Sequence, residues 1–124
     1  MEIHHVAIIA SDYLRSKDFY TRILGFEIIR ETYREERQSY KLDLRVGLAQ
    51  IELFSFPNPP PRPSRPEALG LRHLAFAVDD LEATRARLLT AGLDLEEVRI
   101  DPTTDKHFFF FRDPDDLPLE IYEK

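Results

Sequence analysis

Four side chains in this sequence could jointly hold a metal ion: His5, Glu52, His73 and Glu120. They fall into two pairs with one spacing. His5 opens the run HVAIIASD and His73 opens HLAFAVDD. In each run an apolar residue and an alanine follow the histidine, and an aspartate lies seven residues on. His73 comes 68 residues after His5. Ile51-Glu52-Leu53 returns as Leu119-Glu120-Ile121 at the same 68-residue interval. A carboxylate between two apolar strand residues is costly to bury unpaired, and an imidazole less so. A divalent metal relieves both costs. Two neutral imidazoles and two carboxylates form a mixed nitrogen and oxygen set, suited first to Zn²⁺ or Ni²⁺ and also to Co²⁺, Mn²⁺ or Fe²⁺. Four ligands in a six-coordinate site leave two positions for water or substrate. A metal so exposed is a Lewis acid. A ligand carboxylate that detaches becomes a positioned general base. One strand histidine alone is more often a core or edge residue, and one strand glutamate more often faces solvent. The common spacing of both pairs is what favours a ligand set.

The elements that would position these residues are legible from hydrophobic periodicity. Residues 3–10 are nearly all apolar, which predicts a strand buried on both faces. His5 shares a face with Ala7 and Ile9. Ser11 or Asp12 is a helix N-cap, apolar residues from Leu14 to Leu24 follow at helical spacing, and Gly25 closes the helix. Strands are predicted over 26–32, 39–48 and 49–56, the last carrying Glu52. In the third strand Leu42, Leu44 and Val46 alternate with Lys41, Asp43 and Arg45. The second half repeats the plan. A strand over 71–78 carries His73. A helix begins at Asp79 with Glu82 completing a capping box. Leu81, Arg85, Leu88 and Leu89 form its inner face, and Gly92 ends it. Strands follow over 93–100, 107–112 and 117–122, the last carrying Glu120. The fold class is therefore α+β, with two βαβββ modules: module 1 over about 1–56 and module 2 over about 69–124. Residues 57–68 contain PNPPPRPSRP and form a stiff linker within one domain spanning 1–124.

Composition narrows the function. A chain of 124 residues with 43% hydrophobic and 32% charged residues fits one globular domain. Its net charge of −6, with both signs interspersed, argues against a nucleic-acid partner. Without cysteine there is neither a disulfide framework nor a thiolate ligand. No apolar run approaches the roughly 20 residues that span a bilayer, and no leader precedes the first strand. A cytoplasmic protein with a small-molecule substrate and no membrane partner is the expectation. Among the remaining polar residues, His4 should face away from His5, Arg72 away from His73, and His107 lies at the surface. Arg34, Arg37, Lys41, Arg65 and Lys106 fall in or near loops, where they are solvated or hold an anionic substrate. The run from Phe108 to Phe111 is chiefly core, with alternate rings available to wall a pocket.

The pattern of HHVAIIASD with FYTRILGFE, then IELFSFP, GLRHLAFAVDDLEA and FFFRDPDDLPLEIYE, resembles the vicinal oxygen chelate superfamily across essentially the whole chain. That superfamily includes glyoxalase I, extradiol dioxygenases, methylmalonyl-CoA epimerase and fosfomycin-resistance enzymes. In detail the chain is most similar to small bacterial glyoxalase-like proteins of the YaeR type. The resemblance implies βαβββ modules whose mixed sheets curl around one divalent metal, with His5, Glu52, His73 and Glu120 as its ligands. It also implies Glu120 as the base that moves a proton between adjacent carbons of a hydroxycarbonyl or thiohemiacetal, through an enediolate. The implied activity is a lactoylglutathione lyase-like lyase or isomerase. The alternatives are an extradiol-type dioxygenase and a binding protein without catalysis. A homodimer is implied, with the site within one chain or shared between two. Asp116 stands where the family usually has glycine, in a turn that calls for positive φ. The glutathione-binding residues of glyoxalase I have no match.

Overall fold

The computed structural model describes residues 1–124. It divides into two compact units, Met1–Pro61 and Arg62–Lys124, with the boundary inside the proline-rich stretch. The first unit runs β1 (His5–Ala10), α1 (Tyr13–Asp18) continuing into a π-helical turn (Phe19–Ile23), β2 (Glu27–Arg34), β3 (Ser39–Val46) and β4 (Ala49–Ser55). The second runs β5 (Leu74–Val78), α2 (Leu81–Thr90), β6 (Arg99–Ile100), β7 (His107–Arg112) and β8 (Pro118–Glu123). Both units are βαβββ, and their sheets are built alike. The orders are β1-β4-β3-β2 and β5-β8-β7-β6. In each the first strand is parallel to the last, and the other pairings are antiparallel.

The helices start and stop where local chemistry directs. Asp12 accepts a hydrogen bond from the Arg15 amide at 3.1 Å, and Asp80 accepts one from the Ala83 amide at 2.8 Å. The second cap is therefore Asp80 and not Asp79, which leaves Glu82 in the first turn, where its charge suits the helix dipole. Gly25 and Gly92 close the two helical segments at φ of +82° and +85°, a conformation that glycine adopts without strain.

Each sheet buries one face in the core of its unit. In the first unit Ile8, Ala10, Leu42, Leu44, Ile51 and Leu53 are buried together with Tyr13, Phe19 and Tyr20 of the helical segment. Burying an aliphatic side chain of this size contributes roughly 1.5–3 kcal/mol. The expectation that β1 is buried on both faces is corrected: His5, Ala7 and Ile9 are exposed, and Ile9 keeps 51% of its surface. The helix covers one side of the sheet only. In the second unit Phe109, Phe111, Leu119 and Ile121 join Leu81 and Leu88 of α2. Leu89 is not part of the inner face and stays 46% exposed. The strand predicted over 93–100 shrinks to β6, because Asp94, Glu96 and Glu97 are poor strand formers. Of that stretch, the Glu96 amide still donates to the Phe110 carbonyl at 2.9 Å.

Candidate metal-binding site

Strand register sets both histidine–glutamate pairs. On the parallel β1/β4 ladder Ala7 lies opposite Glu52, and on β5/β8 Ala75 lies opposite Glu120. His5 and His73 each stand two residues before that alanine, so they share the glutamate's face. The outcome is the same twice. His5 Nε2 comes to 3.6 Å from Glu52 Oε2, and His73 Nε2 to 3.1 Å from Glu120 Oε2. Both carboxylates are largely buried, with side-chain exposures of 14% for Glu52 and 11% for Glu120.

Two neighbours depart from the alternation expected of them. His4 does not turn away from His5: their Nδ1 atoms are 2.9 Å apart, one donating to the other. Arg72 likewise lies beside His73, with Nη1 at 3.0 Å from Nδ1. Both residues precede their strands, β1 starting at His5 and β5 at Leu74, so strict alternation does not yet hold. An arginine can only donate, so His73 Nδ1 accepts here and a neutral ring carries its proton on Nε2, toward Glu120; binding a metal through Nε2 requires that proton to leave. In the first unit His4 can take a proton bond from His5 Nδ1 and leave Nε2 unprotonated. A partner on the second nitrogen is what commonly fixes a ligand imidazole.

The two glutamates have unlike surroundings. Glu52 is pinned: Lys41 Nζ lies 2.8 Å from Glu52 Oε1 and 2.8 Å from Asp43 Oδ1. Lys41 is thus a strand residue on the site face, not a loop residue. Asp43 stands opposite Glu52 in the β3/β4 register and is 4% exposed. Its burial would raise its pKa. Lys41, and Arg30 at 3.4 Å, outweigh that and hold the carboxyl below its usual range. Asp43, and then Glu52, hold the Lys41 ammonium above its own usual range. Sequence reasoning read Lys41, Asp43 and Arg45 as the polar side of an alternating strand but did not see that this side carries the site. The signal was the shared period of 2 with His5 and Glu52. At the matching place in the second unit, Phe110 stands opposite Glu120. Its ring meets His73 edge-on at 5.1 Å. The aromatic run is therefore both things expected of it, with Phe109 and Phe111 in the core and Phe108 and Phe110 on the site face.

His107 bonds Glu123 at 2.9 Å and is half exposed, as a surface histidine. Asp116 takes a φ of +67°, the turn conformation that glycine would otherwise supply. Within each unit the potential ligands are one imidazole and one carboxylate, and no group of three or more His, Asp or Glu that could hold a metal is gathered. The donor chemistry of each pair fits half of a divalent-metal site: a nitrogen and an oxygen that face one another, with no competing thiolate. No helix is long and apolar enough to cross a membrane.

Comparison with known proteins agrees with this architecture. Residues 2–121 match the family model described as Glyoxalase/Bleomycin resistance protein/Dioxygenase superfamily. The chain is 59% identical to the uncharacterized protein YaeR of Escherichia coli (strain K12), covering 99% of this chain and 96% of that one. It is 60% identical to the uncharacterized protein YwkD of Bacillus subtilis (strain 168), covering 98% and 96%. The crystal structure of a glyoxalase family protein from Enterococcus faecalis superposes with a TM-score of 0.91 at 52% identity, covering 98% of this chain and 97% of that one.

Proposed function

Because this chain belongs to the glyoxalase/bleomycin resistance protein/dioxygenase superfamily, we propose that it is a metal-dependent lyase or isomerase of glyoxalase I type. Its substrate is a small hydroxycarbonyl or thiohemiacetal, and its reaction a proton transfer between adjacent carbons through an enediolate. The observation that carries this reading is the doubled His–Glu pair. Two separate ladders place an alanine opposite a glutamate and a histidine two residues upstream. Core packing gives no reason to spend a buried carboxylate at the same place twice. His5, Glu52, His73 and Glu120 would hold one divalent metal, Zn²⁺ or Ni²⁺ before Co²⁺, Mn²⁺ or Fe²⁺. When bound, the ion supplies Lewis-acid polarisation of the substrate's neighbouring oxygens.

The protein groups divide the remaining work. Lys41 fixes Glu52 through one oxygen, which suits a permanent ligand. Glu120 has no lysine beside it, only His73 and the Phe110 ring, so its carboxylate is the one able to detach and carry a proton. The aromatic wall keeps water from that proton. A homodimer, whose second copy supplies the complementary pair, is the assembly that this reading favours.

The direct test is metal analysis of protein purified without added metal, followed by a methylglyoxal–thiol assay with and without a chelator. About one divalent ion per pair of half-sites and chelator-sensitive turnover are expected. A protein that takes up no divalent metal sinks the proposal. His4→Ala gives a subtler check. Losing the His5 Nδ1 partner is expected to weaken metal binding by about 10–100-fold, read by competition against a chelator. An unchanged affinity would show that His4 orients nothing.

A further inference from the structure

Beside the His73–Glu120 pair the second unit carries a groove of about 420 Å³, within the size range of small-molecule sites. Four arginines line it, Arg65, Arg72, Arg99 and Arg112, against two glutamates, Glu67 and Glu96. The local balance is therefore positive on a chain whose net charge is −6. The groove shares its floor with the candidate site. Phe110 and Pro118 line it, and Phe110 lies opposite Glu120 and Arg112 opposite Pro118 in one register. Arg99 pairs with Phe108 across β6 and β7, on the same face.

Arg99 and Arg72 are held in a way that suits a ligand, whereas Arg112 is paired with the Asp116 carboxylate, which an incoming anion must displace. The Arg99 guanidinium lies over two rings, 5.0 Å from the Phe108 centroid and 5.4 Å from that of Phe110. Stacking orients the planar fork without using its N–H donors. Its ion pair with Glu96 is long, at 3.3 Å, and half exposed. Arg72 reaches Glu67 only at 3.4 Å, again between exposed groups. Exposed pairs of this kind contribute little, and an oxyanion that accepts two parallel bonds from a guanidinium displaces them. Arg72 also touches His73, and Phe110 touches both His73 and Arg99. The cationic groove and the ligand pair are contiguous.

We propose that this groove is an anion subsite. It takes the phosphate, phosphonate or carboxylate group of the molecule whose carbonyl end lies at His73 and Glu120. The subsite rests on the function proposed above only for the identity of that other end.

The test uses the full chain with inorganic phosphate and acetate as separate probes at constant chloride. Arginine side-chain Nε–H signals are followed by NMR. Saturable shifts of Arg72, Arg99 or Arg112 are expected, and the tighter probe identifies phosphoryl or carboxylate as the natural group. Arg99→Gln and Arg112→Gln are each expected to weaken the tighter probe by about tenfold or more. Arg22→Gln, a change on the helical segment of the first unit, is expected to leave it unaltered. The proposal is overturned if neither probe saturates, or if shifts arise elsewhere and both groove variants bind as the wild type does. The wild-type shift map decides alone should a variant fail to fold. Metal affinity is measured on the same samples and is expected to be unchanged in Arg99→Gln. Anion binding without metal uptake overturns the metal-dependent function and leaves the subsite standing. Metal uptake without anion binding does the reverse.

Discussion

Glu120→Gln is expected to lower turnover by about 10²–10⁴-fold at saturating metal, the range lost with a general base, whereas Glu52→Gln is expected to act chiefly through metal affinity. The amide keeps the shape of the carboxylate and one weak oxygen ligand but cannot take a proton. Equal damage from the two changes would follow if both glutamates were only ligands. The structure argues for inequality. Glu52 Oε1 lies 2.8 Å from the Lys41 ammonium, which itself is shared with buried Asp43. A carboxylate so held has little freedom to leave a metal and return. Glu120 faces His73 at 3.1 Å, with an aromatic ring at the register position that Asp43 occupies in the first unit. Rates must therefore be compared at metal concentrations that saturate each variant. Restoration of the Glu120→Gln rate by excess metal would assign Glu120 an affinity role alone and remove it as the base.

The candidate site was legible in the sequence because it is written twice. The 68-residue interval links His5 to His73 and Glu52 to Glu120, and a strand's period of 2 puts each histidine on its glutamate's face. Several strands were legible for a related reason: apolar and charged residues alternate along them, as in Leu42-Asp43-Leu44, whereas the strand expected over 93–100 is only the two-residue β6. What period alone could not supply was which side of a sheet the helix covers. Residues 3–10 are apolar on both sides, so β1 read as doubly buried, yet His5, Ala7 and Ile9 are exposed. Nor could alternation be extended past the ends of strands, and this is where His4 and Arg72 were misplaced. The anion groove was the least visible feature. Its arginines come from three separated stretches, Arg65 and Arg72, Arg99, and Arg112. Only sheet register brings them beside one pair of phenylalanines.

Lys41→Met is expected to destabilise the chain by about 3 kcal/mol, far more than its partly exposed position indicates. The loss falls on Asp43. That carboxylate is 4% exposed, and it stays below the ordinary carboxylate range although burial opposes this. Removing one partner of a buried ion pair leaves an uncompensated charge, at a typical cost of 3–5 kcal/mol. Arg30 remains at 3.4 Å, but its side chain is 72% exposed, so solvent screens much of its help. If the buried charge is the cause, the second change Asp43→Leu should return most of the lost stability, since replacing both partners with apolar groups of similar volume is often neutral. Denaturant unfolding of the two single variants and the double variant measures the coupling directly. A Lys41→Met protein within about 0.5 kcal/mol of the wild type, as for ordinary surface changes, would mean that Asp43 reaches water or Arg30 well enough alone. Glu52 would then lose its claim to a fixed position, and with it the argument that the two glutamates play different parts.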